Sequence, residues 1–185
     1  MRDTEQSIEA IESDLWGWMR EFVAVKNEFY GKRFPPCPFA LRALMLKTVD
    51  VVVWQSGDVQ AFIRANALAM REVPQLTTRV MSFPPRTQFT WGLSAFVETL
   101  NAELIPQNLF LNTGVAKTTT SRYAGSNGQP YFIVVANSLA AVLDGAASLQ
   151  RTDYYADWPK SHFELVVERR ERMARRYAKV ESENH

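Results

Sequence analysis

Apolar positions near the start of the chain recur at helical spacing. Ile8, Ile11, Leu15, Trp18, Met19, Phe22, Val25 and Phe29 fall at intervals of three and four, one face of a long amphipathic helix. Asp3, with Gln6 three positions on, has the form of a capping box at its start, and Gly31 that of a stop. Trp16 and Trp18 cannot both face one core, so the stripe is wide or one indole meets a partner or a ligand.

Beyond Gly31 the period changes. Residues 40–46 suit a short helix, and 48–54, nearly unbroken and β-branched, a first strand. Asp58 can cap a helix that carries Phe62, Ile63, Ala65, Ala69 and Met70 inward and ends at Pro74. Residues 77–83 predict a second strand stopped by Pro84 and Pro85, 90–104 a helix closed by Pro106, and 108–112 a third strand. A polar stretch over 114–129 precedes a fourth strand at 131–136. Residues 138–149 suit a short helix interrupted at Gly145. Ser161 and Glu164 form a capping box for a final helix with Phe163, Val166, Val167, Arg170, Met173, Ala174 and Tyr177 along one side.

Short strands separated by helices predict an α+β fold. The expectation is a single, mostly four-stranded sheet covered by helices, with long N- and C-terminal helices; a ferredoxin-like sandwich is the first form considered and a three-layer α/β arrangement the second. Without a repeat or linker, residues 1–185 are expected to form one domain. A net charge of +1 argues against a dedicated nucleic-acid binder. The single cysteine excludes an intrachain disulfide, and neither a signal core nor a run of ~20 apolar residues is present. These features predict a cytoplasmic protein without a membrane partner.

Cys37 is the first candidate for chemistry. It lies in Phe34-Pro35-Pro36-Cys37-Pro38-Phe39-Ala40, where prolines stiffen the backbone and hold the thiol in place. It suits a nucleophile, a redox thiol or an axial ligand, with Lys32, Arg33 and Arg42 near in sequence to favour the thiolate; the alternative is a small apolar residue wedged between helix and sheet. His162, in the first turn of the last helix, suits a general base or an iron ligand, or is a surface residue at a helix start. In the polar stretch, Lys117, Arg122 and Tyr123 could grip an acidic group of a substrate, although no P-loop is present. The arginines of 168–176 could bind an anion or RNA, but the glutamates interleaved with them favour a solvated, ion-paired face. Among the aromatics, Trp54, Phe83, Phe89, Trp91, Tyr131, Tyr154, Tyr155 and Trp158 suit either core or a pocket for a flat cofactor.

The segment Pro36-Cys37-Pro38-Phe39-Ala40-Leu41-Arg42-Ala43-Leu44 resembles the Pro-Cys-x-x-Ala-x-x-Ala-Leu segment of the YqcI/YcgG family. It also resembles bacterial families of unknown function in which a helix, a Cys-Pro-Phe-Ala segment and a strand follow one another. Some YqcI/YcgG members are heme-dependent enzymes that hydroxylate the guanidine nitrogen of arginine-like substrates. The resemblance implies a heme held by Cys37 or His162, the metal ligand. The leading expectation is then a small soluble enzyme acting on a small polar metabolite, a heme-dependent oxygenase or N-hydroxylase of biosynthesis. Two alternatives stand beside it: a cofactor-free enzyme or thiol redox protein using Cys37, and a non-catalytic homodimer joined through Trp16 and Tyr177 on its end helices.

Overall fold

The computed structural model describes residues 7–26, 33–83, 92–116 and 131–178. Helix α1 spans Ile8–Trp18 and is capped by Ser7, whose hydroxyl accepts from the Ala10 amide. The capping box expected at Asp3 and Gln6 lies outside the described residues, as do Phe29 and Gly31. After Trp18 the helix widens into a π turn over Met19–Val23 and ends at Ala24. Helix α2 (Ala40–Met45) leads into β1 (Val49–Val53), α3 (Val59–Ala69), β2 (Thr78–Phe83), α4 (Leu93–Leu104), β3 (Leu109–Ala116), β4 (Tyr131–Ser138) and α5 (Leu139–Gln150). The chain then forms α6 (Lys160–Phe163), a second π turn over Glu164–Glu168, and α7 (Arg169–Ala178).

The fold is α+β around one mixed four-stranded sheet in the order β1-β2-β4-β3. β1 and β2 are parallel, as their connection through α3 requires, and β4 runs antiparallel to both β2 and β3. Successive side chains of each strand alternate between two faces. On one face Met81, Phe83, Leu111, Val134 and Ala136 pack under Val59, Ile63 and Ala67 of α3 and Val97, Leu100 and Leu104 of α4. On the other, Val51, Val53, Val80, Tyr131 and Ile133 pack under Ile11, Leu15 and Met19. The Tyr131 ring is fully buried and its hydroxyl donates to Asp14 at 2.6 Å, which pins α1 to the sheet.

Several local expectations are corrected. Residues 114–116 belong to β3, whose pairing with β4 runs to Ala116 opposite Tyr131. Gly145 does not interrupt α5, which continues through it; the missing Cβ makes room for the Phe39 ring, whose nearest carbon would stand 3.0 Å from such an atom. The capping box at Ser161 and Glu164 does not form: the last helical stretch starts two residues earlier, with Pro159 as N-cap, and Glu164 instead faces Lys160 at 3.6 Å.

At the sheet edge, Asp50 of β1 is fully engaged. One carboxylate oxygen accepts from the Val51 amide at 2.9 Å and the other from the Arg79 guanidinium at 2.9 and 2.8 Å, while Arg79 also donates to the Asn66 carbonyl. Among the described residues, no helix is long and apolar enough to cross a membrane.

Candidate functional site

The helices leave part of the sheet uncovered. α1 covers the end of its face that carries Val53, Ile133 and Tyr131. At the opposite end, Val49, Thr78 and Asn137 sit side by side on paired strands and form the floor of a cavity of about 370 Å³. Its roof is α5 with Ala141, Val142, Gly145, Ala146 and Leu149; α2 contributes Ala40, Ala43 and Leu44, and the segment after α5 contributes Tyr154, Tyr155 and Trp158. Both π turns border it, the first through Met19 and Val23 and the second through Val166. Such wide turns are frequent at functional sites because the extra residue re-aims the side chains around it.

The lining is mostly apolar, with a small polar set. Thr78 donates to Asn137 at 3.2 Å on the floor. Arg170 of α7 lines the same space and is only 8% exposed; its Nε, closed off from solvent, has no hydrogen-bond partner among the described residues. Burial lowers the pKa of this guanidinium, opposed by the Tyr155 hydroxyl, with which it hydrogen-bonds, and by Glu171. The same burial raises the Tyr155 pKa, with Arg170 pulling it back. A guanidinium on the wall of a largely apolar cavity is a standing counter-ion and hydrogen-bond donor for an anion.

Cys37 lies on the wall of this cavity. The proline segment is tied down from three sides: the Cys37 amide donates to the Val23 carbonyl at 3.0 Å, the Ala40 amide donates to the Cys37 carbonyl at 3.1 Å, and the Tyr154 hydroxyl donates to the Pro36 carbonyl at 2.7 Å. The stiff, fixed backbone expected of the prolines is therefore present. The activated thiolate has no support. Although part of the residue reaches the surface, its thiol lies among protein atoms, and burial raises its pKa against the weaker opposite pull of the Phe39 and Ala40 amides. Arg33, one of the expected positive neighbours, is bound elsewhere, to Asp153 at 2.9 Å.

His162 is exposed and lines a second, outer groove of about 590 Å³ with Phe34, Trp158, Ser161 and Leu165; its ring lies 4.5 Å from that of Trp158. Cys37 and His162 thus border different spaces, and Tyr154 and Trp158 line both. No group of three or more His, Cys, Asp or Glu side chains suited to a metal ion occurs among the described residues. Lys117, Arg122 and Tyr123 lie outside the described residues. Trp16 and Tyr177, expected at a dimer surface, are half-buried against their own chain, in the clusters of α1 and α7 respectively.

Arg170 stands in two readings of the sequence, on the apolar side of the last helix and among the arginines of its solvated face, and the structure keeps the first. Its neighbours behave as a solvated face, with Arg172–Glu168 at 3.3 Å and Arg175–Glu171 at 3.9 Å. Arg170 itself falls in the apolar stripe of the helix, between Val167 and Met173. A charge at a stripe position was the available signal. Asn137, at the end of an otherwise apolar strand, was a second. The aromatics divide similarly: Phe83 and Tyr131 are core, whereas Tyr154, Tyr155 and Trp158 line the cavity. Phe89 and Trp91 lie outside the described residues.

Compared with known proteins, the chain matches no family model, no curated protein and no solved structure.

Proposed function

We propose that this protein binds a small, largely apolar organic anion in the cavity between α5, α2 and the sheet, with Arg170 as the counter-ion. The buried Arg170 side chain, on the wall of an apolar space of about 370 Å³, carries this reading. An aromatic or medium-chain carboxylate has the required parts: an apolar body for Val142, Leu149 and Leu44, and an acidic head for the guanidinium. Tyr155 adds a hydroxyl beside that head, and the Thr78–Asn137 pair offers further polar contact on the floor. This ligand is less polar than the metabolite expected from the sequence. An enzyme of that class would act in this cavity, where Cys37 and Tyr155 are the groups placed to take part in chemistry; both are held in their neutral forms by burial.

The test is a titration of tryptophan fluorescence, since Trp18 and Trp158 line the cavity, with a series of carboxylates and their matched neutral amides. Carboxylates should bind and amides should not, and Arg170→Met should weaken carboxylate binding by about tenfold or more while the protein stays folded. Equal binding of amides, or an Arg170→Met variant that binds as the parent does, would sink the proposal. Hemin is titrated in the same experiment. A sharp Soret band at one equivalent, altered in Cys37→Ala or His162→Ala, would replace this reading with the heme-dependent one.

A further inference from the structure

Helix α2 is apolar on both sides. Its inner side, Ala40, Ala43 and Leu44, lines the cavity. Its outer side carries Leu41 and Met45, four residues apart on one face, and these are 56% and 74% exposed. Leu46 at 60% and Val25 at 46% add exposed apolar side chains in the adjoining segments, while the Phe39 ring turns inward onto Gly145. Neighbouring exposed apolar side chains mark a docking surface.

Within and next to α2 the described charges are mostly positive. Residues 33–49 contain no acid, and Arg42 and Lys47 stand exposed beside the apolar side chains. In the adjoining segment Lys26 and Arg20 are exposed, against Glu21. Asp50, the first acid after α2, has both carboxylate oxygens committed to Val51 and Arg79.

We propose that the outer face of α2 docks on an anionic lipid surface. Protruding apolar side chains flanked by cations suit a soft, negatively charged interface: the side chains enter the acyl boundary and Arg42 and Lys47 stay at headgroup level. A second copy of the chain fits less well. Four side chains fall well short of the ~800 Å² per partner that a stable interface buries, and a two-fold axis through the patch would bring Arg42 and Lys47 towards their own images. A bound peptide would need a groove, whereas this helix offers a ridge. The sequence expectation of no membrane partner rested on the lack of a spanning segment, a property a surface-docking helix does not need.

This inference does not rest on what fills the cavity, and its measurement is separate from the ligand titration. Flotation is carried out with vesicles of phosphatidylcholine alone and with vesicles containing about a third phosphatidylserine. The chain should float with the anionic vesicles only, and raising salt from about 0.05 to about 0.5 M should release it. Met45→Asp should weaken flotation by about tenfold or more, and Arg42→Gln with Lys47→Gln by several-fold, both with an unchanged circular dichroism spectrum. No flotation with anionic vesicles at low salt overturns the proposal, as does flotation indifferent to Met45→Asp. Self-association that Met45→Asp abolishes, in a chain that does not float, would assign the face to a second copy instead.

Discussion

The two faces of the sheet are made of alternate residues of the same strands, yet only one is filled. Under α3 and α4, Met81 and Val134 are fully buried and Phe83 is 1% exposed, with its ring meeting Phe62 edge-on at 6.0 Å. On the opposite face, α1 seals the end around Tyr131, while the end around Thr78 and Asn137 stays open beneath α5. The open end is also where a buried arginine and two polar floor residues gather. Space and polarity coincide there. A merely loose core would have left its gaps apolar, so the coincidence points to a site.

The comparison can be broken most directly by substitutions that change volume on each face. Phe83→Ala should lower the unfolding free energy by about 3–5 kcal/mol in urea titrations, because the packed face cannot collapse around the loss. Ala146→Leu on the open face should cost less than about 1 kcal/mol, since the added atoms enter existing space, and should abolish ligand binding. A cost for Ala146→Leu as large as for Phe83→Ala would mean that the two faces are packed alike.

A smaller effect separates the environments by pH. The folded pKa of Cys37 is raised, so its contribution is fully present below the unfolded value of about 8.5 and is lost as pH rises through the folded one. Stability should therefore fall above about pH 8.5 by up to about 1.4 kcal/mol per pH unit more in the parent than in Cys37→Ala. Alkylation near pH 7 should be slower than for a free thiol; a faster rate would restore the activated thiolate expected from the proline segment.

The smallest effect concerns the contact that holds α2 against α5. Gly145→Ala improves helix propensity by roughly 0.8–1 kcal/mol but crowds the Phe39 ring, so alone it should be close to neutral. In a Phe39→Ala background the gain should appear in full. A double-mutant cycle that closes to zero would show that the ring and the helix do not interact.

The strands and helices of the sheet were legible in the sequence because their signals are clean: the β-branched run at Val49–Val53, the stop that Pro84 and Pro85 set after Thr78–Phe83, and Asp58 ahead of α3 with its carboxylate accepting from Gln60 and Ala61. Boundaries slipped where a local signal competed with a long-range contact, as at Gly145, whose meaning depends on a ring more than a hundred positions away in the chain. The cavity was half legible. Cys37 was singled out, but its thiol state depends on what α1, α5 and Tyr154 place around it, which spacing does not encode. His162 stood beside Cys37 as a heme ligand implied by the resemblance, and a short motif carries no information on which side of Tyr154 and Trp158 each one falls.

Asp50 has a consequence beyond its own strand. In the parallel ladder the Trp54 amide donates to Ser82 and the Thr78 amide to Thr48, so even-numbered residues of β1 face β2 and the Val51 amide faces outward. The Asp50 carboxylate occupies that outward donor, and Arg79 holds the carboxylate in place. A stray extended chain approaching this border therefore finds the middle of it already occupied, with an ion pair beside it. The protein carries its own guard against the strand-to-strand stacking by which open sheets grow into fibrils.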